Sequence, residues 1–213
     1  MRPIHRSVHD ARRAGRRFLR ILSLVAIAAP LLGCASQRAA ADTPTAPSAD
    51  AATLAAFVPT GHRAGMNAQG DFDGDGDLDA LLVIEAERGD AADAPRALLL
   101  LRRDPDRLRL VLESPRAVLC RRCGGMMGDP LQQLRIGPGE LVLRFEGGSR
   151  ELWSSEFRFV QTPDRTWRLD TIVAGGLDRT DGATAERRRD AQSFGAIPLQ
   201  TFDPGDFPAD ALP

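Results

Sequence analysis

The residues best placed to do chemistry are the five aspartates of the run Asp71-Phe72-Asp73-Gly74-Asp75-Gly76-Asp77-Leu78-Asp79. Calcium takes about six to eight oxygen ligands, and carboxylates at alternate positions of a tight loop converge on one ion. With Asp71 as position 1, Asp73 and Asp75 fall at 3 and 5, and Gly76 falls at 6, where the loop must bend sharply. Asp77 at position 7 would offer its backbone carbonyl, and Asp79 at position 9 a carboxylate. Left without a cation, these carboxylates repel one another strongly. The expected metal ligands are therefore Asp71, Asp73, Asp75, Asp77 and Asp79, with calcium as cofactor, and the ion's expected role is to staple the strand that starts at Leu78.

A second feature is Cys120-Arg121-Arg122-Cys123-Gly124-Gly125-Met126-Met127-Gly128-Asp129-Pro130. A Cys-x-x-Cys pair serves a redox site, half of a zinc site or a local disulfide. Zinc needs two more ligands, and beyond residue 34 the chain has no further cysteine and a single histidine, His62. A thioredoxin-type redox site needs a βαβ context that this sequence does not supply. A small disulfide between Cys120 and Cys123, pinning a glycine-rich loop, is the expectation that remains. Methionine adapts to partner surfaces, so the same loop reads as a recognition tip made of Arg122, Gly124, Gly125, Met126, Met127, Gly128 and Asp129. Catalytic resources are thin. His5 and His9 lie in the leader described next, nothing near His62 resembles a nucleophile elbow, and the densest carboxylates are claimed by the cation. The chain reads as a binder, not an enzyme.

Seven arginines between Arg2 and Arg20 precede Ile21 to Leu32, an apolar run too short to span a bilayer and suited to a signal-peptide core. The run ends in Leu31-Leu32-Gly33-Cys34, which resembles the lipobox of bacterial lipoproteins. That resemblance implies a signal peptide over 1–33, lipid on Cys34 as the first residue of the mature protein, and a periplasmic location with a membrane anchor. Ala35 stands where the inner-membrane retention signal of such proteins is Asp, which implies the outer membrane. Arg16-Arg17-Phe18 is similar to a twin-arginine signal without its spacer residue, which leaves the export route open. Every one of the 28 basic residues is arginine, against 29 acids; without the leader the balance becomes 21 to 28, a net charge of about −7. A chain so acidic has no reason to bind nucleic acid. With Cys34 lipidated, Cys120 and Cys123 are left as a pair in an oxidising compartment, which favours the disulfide.

These residues need a scaffold. Residues 34–53 are rich in Ala, Pro, Ser, Thr and Asp with no periodic apolar face, and read as a tether. Residues 54–213 are enough for one domain with a core. Short apolar runs recur there between turn signals: Leu78 to Ile84, Ala97 to Leu101, Leu108 to Leu112, Leu131 to Ile136, Leu141 to Phe145, Leu152 to Val160 and Trp167 to Val173. Asp104-Pro105-Asp106, Gly137-Pro138-Gly139 and Pro163-Asp164-Arg165 mark turns. Only Ala183 to Ala191 could form a helix, and it reads more as a solvated excursion. The expectation is all-β: an antiparallel meander, arranged as a small sandwich or as propeller-like blades, with one calcium loop.

The aspartate loop lacks the closing glutamate of an EF-hand, because position 12 is Leu82, and a strand follows it instead of a helix. It resembles the calcium loops of FG-GAP and VCBS repeats. Together with the lipobox, the tether, the CxxCGGxxGDP loop, the GGS before Trp153-Ser154-Ser155-Glu156-Phe157-Arg158-Phe159, and the Thr166-Trp167-Arg168-Leu169 strand, it is similar to periplasmic lipoprotein immunity proteins associated with bacteria-killing type IV secretion systems. The resemblance spans about Gly70 to Asp181. It implies a VCBS-like β fold, bound calcium, and inhibition of a lysozyme-like peptidoglycan hydrolase as partner; the alternative is a calcium-dependent envelope module that binds glycan or protein without inhibiting. Family inhibitors are expected to push an aromatic residue, often tyrosine, into the enzyme's cleft. This chain has no tyrosine, so Met126 and Met127 are the apolar contact it has to offer.

Overall fold

The computed structural model describes residues 49–87, 92–105 and 107–209. The leader, Cys34 and the tether up to residue 48 lie outside the described residues. Two antiparallel sheets make up the fold. The first has the order β1 (His62–Gly70), β2 (Asp79–Ala86), β3 (Arg96–Asp104), β4 (Arg107–Val118); the second runs β5 (Leu131–Gly137), β6 (Glu140–Gly148), β7 (Glu151–Gln161), β8 (Trp167–Asp178), β9 (Thr184–Asp190). Each sheet is an up-and-down meander in sequence order, and the two pack as a sandwich that is not closed into a barrel.

Alternation of the side chains explains the layering. Leu141, Leu143 and Phe145 of β6 and Phe157 and Phe159 of β7 point inward and meet Leu81, Val83, Leu98 and Leu100 from the first sheet. On the outer face of the second sheet, Arg135, Arg144 and Arg158 pair with Glu140, Glu146 and Glu156. The first sheet is apolar on both faces. Ala80, Leu82, Ile84, Leu99 and Leu101 form a second cluster on its outer side, covered by Ala49, Leu54, Phe57 and Val58. Helix α1 (Ala51–Ala55) carries Leu54 there and is capped by Asp50, whose side chain accepts from the Thr53 N–H. The described residues thus include part of the stretch read as tether: Ala49 N–H donates to Gln69 and its carbonyl accepts from the same carboxamide.

Three elements differ from the sequence expectation. The exposed β1 is an edge strand with a bulge between Ala64 and Asn67, and its glycine-containing sequence has no apolar alternation. Thr184–Asp190 is the edge strand β9, neither a helix nor a solvated excursion, because it pairs with β8 from Thr171 to Leu177; its arginines keep that edge from pairing further. After helix α2 (Ala191–Phe194) the chain folds back and inserts Leu199 and Phe202 into the core between the sheets. The Leu199 carbonyl is held there by the buried Ser114 hydroxyl at 2.5 Å.

Candidate functional site

The aspartate loop joins β1 to β2 and is tied to the body at both ends. Phe72 drops its ring into the core, its carbonyl accepts from Gly139 N–H at 2.8 Å, and Gly70 lies so near the Ile136 carbonyl that a Cβ would sit 2.4 Å from it. Between these ties the backbone turns through Gly74 and Gly76 at φ 80° and 93°, a region costly for residues with a Cβ. Asp71, Asp73 and Asp79 bring one carboxylate oxygen each to within 4.8 Å of one another. The carboxylates of Asp75 and of Asp77, the latter expected to offer its backbone carbonyl, do not join that trio. Asp75 instead accepts from the Asp77 N–H at 2.9 Å, inside the loop.

The three acids are not equivalent. Asp71 accepts from the Gly74 and Gly76 N–H groups and so shapes the turn. Asp73 is exposed, and partial desolvation with the charges of Asp75 and Asp71 raises its pKa. Asp79 is 0 % exposed; its oxygens accept from the Phe72 and Arg103 N–H groups at 2.9 and 2.8 Å. Arg103 also donates through Nε to the Leu78 carbonyl. Burial pushes the Asp79 carboxyl up to about 6; those two N–H bonds oppose the shift, and the charges of Asp73 and Asp75 add to it. Two backbone donors leave each Asp79 oxygen with acceptor capacity to spare. A buried carboxylate beside two more is stabilised by a cation, and an all-oxygen donor set suits a hard one.

Cys120 and Cys123 lie at disulfide distance, their Cα atoms 5.1 Å apart, in the segment that connects β4 of one sheet to β5 of the other. The glycines of this loop are structural. Gly124 N–H donates to the Gly128 carbonyl, and Gly124 accepts from Gly148 N–H at 2.9 Å. A Cβ on Gly124 would meet Gly128 O at 2.3 Å, and one on Gly147 would meet the Trp153 ring at 2.5 Å. The loop is thus clamped onto the β6–β7 turn by close backbone approach. Asp129, expected as a partner contact, forms a two-point pair with the buried Arg96 guanidinium at 2.6 and 2.8 Å and caps the Leu131 N–H, with its side chain still 43 % exposed. Arg122 pairs with Asp93 on the surface at 3.1 Å. What the loop shows outward is Met126, 86 % exposed, and Met127, 48 % exposed. They flank an open groove completed by Leu152, Ser149 and Arg179.

Arg96 was not singled out in the sequence. Only 3 % exposed, it binds Glu85 at 2.8 Å and the Leu119 carbonyl at 2.7 Å in addition to Asp129. Glu85 is in turn contacted by Arg63 and Arg121. This buried network pins the methionine loop to the first sheet. His62 is exposed at the start of β1. Comparison of the chain with protein-family models, with curated proteins and with solved structures gives no match.

Proposed function

We propose that the protein is a calcium-braced periplasmic lipoprotein, held at the outer membrane through Cys34, that binds and inhibits a peptidoglycan hydrolase with Met126 and Met127 as its apolar contact. The observation that carries this reading is the pair of exposed methionines on a loop whose backbone is fixed on three sides. Such a tip loses little conformational freedom on docking, and so keeps more of its contact energy as affinity. The choice of a hydrolase as partner is supported by the motif resemblance, which also supports the lipid anchor. Fractionation of cells checks the anchor, since wild-type protein recovered as soluble material would remove it.

Calcium is proposed as the ion held by Asp71, Asp73 and Asp79, with a bracing role and no part in bond making. At a free concentration about 100-fold above its Kd it should add about 2.7 kcal/mol, or roughly 5–10 °C in Tm for a domain of this size. Asp73→Asn should erase that gain and leave the Tm in chelator equal to or slightly above that of wild type, because it removes a like charge beside Asp79 while Asp79 still closes the loop. A thermal melt with and without EGTA checks both. The pH dependence has a definite sign. The folded pKa of Asp79 lies above the unfolded value, so the folded chain takes up a proton as pH falls through about 6. Calcium competes with that proton: its effect on Tm should be full at neutral pH, and its affinity should fall by about tenfold per pH unit below about 6.

The alternative, a calcium-dependent envelope module that does not inhibit, is favoured by the lack of tyrosine. A muramidase assay with a lysozyme-like peptidoglycan hydrolase separates the two. Inhibition by the wild type at near-equal molar ratio supports the inhibitor; undiminished cleavage of peptidoglycan replaces it with the module.

A further inference from the structure

Next to the aspartate loop, where the β7–β8 turn meets it, lies a cavity of about 300 Å³, within the size range of small-molecule sites. Val111, 46 % exposed, supplies its accessible apolar wall, and the margins of the buried Phe72 and Trp167 rings, edge to face at 5.6 Å, close it from beneath. Asp73, Arg102, Arg165, Gln161 and Gln200 supply polar groups around it.

Arg165 marks this cavity as more than a surface dent. It is the non-glycine residue with positive φ, 62°, among the described residues. Arg165 N–H donates to the Thr162 carbonyl and Thr162 N–H to the Thr166 carbonyl. That is a hairpin loop built on a type I turn whose final, left-handed position is ordinarily glycine; after Pro163-Asp164 a glycine would fit without strain. The strained arginine lines the cavity, and an outlier of this kind at a site points to a function for the side chain. It does not serve an internal ion pair: its neighbour Asp164 is engaged by Thr162 and Arg168, and Arg165 forms no salt bridge among the described residues. A free guanidinium matches a carboxylate through its fork of donors. The carboxamides of Gln161 and Gln200 both donate and accept, as sugar hydroxyls require.

We propose that this cavity binds a carboxylated sugar, with Arg165 on the carboxylate, Gln161 and Gln200 on the hydroxyls, and the exposed Val111 side chain against the apolar face of the ring. Asp73 belongs both to this wall and to the carboxylate trio. Its charge opposes an acid ligand until a cation offsets it, so binding is calcium-dependent; this dependence rests on the proposed calcium site.

Calorimetric titration of the full chain with N-acetylmuramic acid and with glucuronic acid, against neutral N-acetylglucosamine, tests the proposal in calcium and in EGTA. In calcium, one acid should bind about tenfold or more tighter than the neutral sugar. Preference for muramate identifies cell wall as the source of the ligand, and preference for glucuronate identifies acidic exopolysaccharide. Arg165→Gly should weaken the acid by about tenfold or more without lowering the Tm, since glycine takes that backbone conformation freely. Acids that bind no tighter than the neutral sugar, or an Arg165→Gly chain that binds as well as wild type, overturn the site. A calcium-raised Tm without acid binding leaves the calcium reading standing and removes this one. Acid binding that is equal in EGTA, with a Tm indifferent to calcium, removes the calcium reading and keeps the pocket.

Discussion

Arg96→Ala should cost about 3–5 kcal/mol of stability, read as a lower denaturation midpoint in urea. The side chain is buried and serves three acceptors from different parts of the chain: Glu85 on β2, the Leu119 carbonyl after β4, and Asp129 before β5. Truncation leaves Glu85, itself 5 % exposed, short of its buried partner and frees a carbonyl and a carboxylate at the junction of the two sheets. Removal of one partner from a buried pair costs more than the pair contributes, because the other charge stays buried and uncompensated. Arg96→Lys should recover only part of the loss, since an ammonium cannot reproduce the two-point contact with Asp129 together with the Nε bond to Leu119. The same change should loosen the methionine loop and weaken partner binding, although Arg96 itself is too buried to touch a partner. A loss below about 1 kcal/mol would show that the network contributes little.

A comparable loss, about 3–5 kcal/mol, is expected for Phe202→Ala. Phe202 is 1 % exposed and sits between Phe157 and Phe159, both at 4.9 Å between ring centres, with Phe207 stacked at 5.9 Å. The aromatic pairs contribute beyond the area they bury, and removal of the middle ring leaves a cavity whose walls belong to β7 and cannot close without moving the sheet. Phe202→Leu keeps most of the volume and should cost less. Urea denaturation of both variants checks the order; equal stability of Phe202→Ala and wild type would mean that the returning C-terminal segment does not brace the sandwich.

The core strands could be read from the sequence because burial imposes an apolar pattern: β2, β3 and β6 to β8 are inward-facing Leu, Val and Phe runs separated by Gly and Pro turns. Of the edge strands, β4 and β5 showed through Leu108 to Leu112 and Leu131 to Ile136, but β1 and β9 did not. Strand β9 is mostly solvent-exposed and β1 partly buries only its second half, through small or polar residues such as Ala68 and Gln69, so neither carries an apolar alternation to detect. Leu199 and Phe202 follow no period at all, and their burial depends on where β4 and β7 stand in space. Among the site residues, the spacing of the aspartates was legible, but their ranking was not. Asp79 differs from Asp75 because the Arg103 N–H, 24 residues away, meets it in the interior. Asp129 looked like a polar contact beside the methionines; its partner Arg96 lies 33 residues back, and only the packing of β3 against the inter-sheet loop joins them. Met126 and Met127 were legible as displayed because they sit between the glycines of a loop outside any apolar run, although the groove with Leu152 that half-covers Met127 was not.

The measurement that bears most directly on the proposed function is the Kd of the full-length protein for the purified hydrolase, in calcium, for wild type and for Met126→Ser with Met127→Ser. Serine removes the apolar contact and leaves the clamped backbone, the Arg96 network and the aspartate loop as they are. The double variant should bind at least about 30-fold more weakly, the scale of a lost interface anchor worth roughly 2 kcal/mol, with its Tm and its calcium response unchanged. Equal affinity of the two proteins would contradict the account, because the exposed methionines would then lie outside the contact.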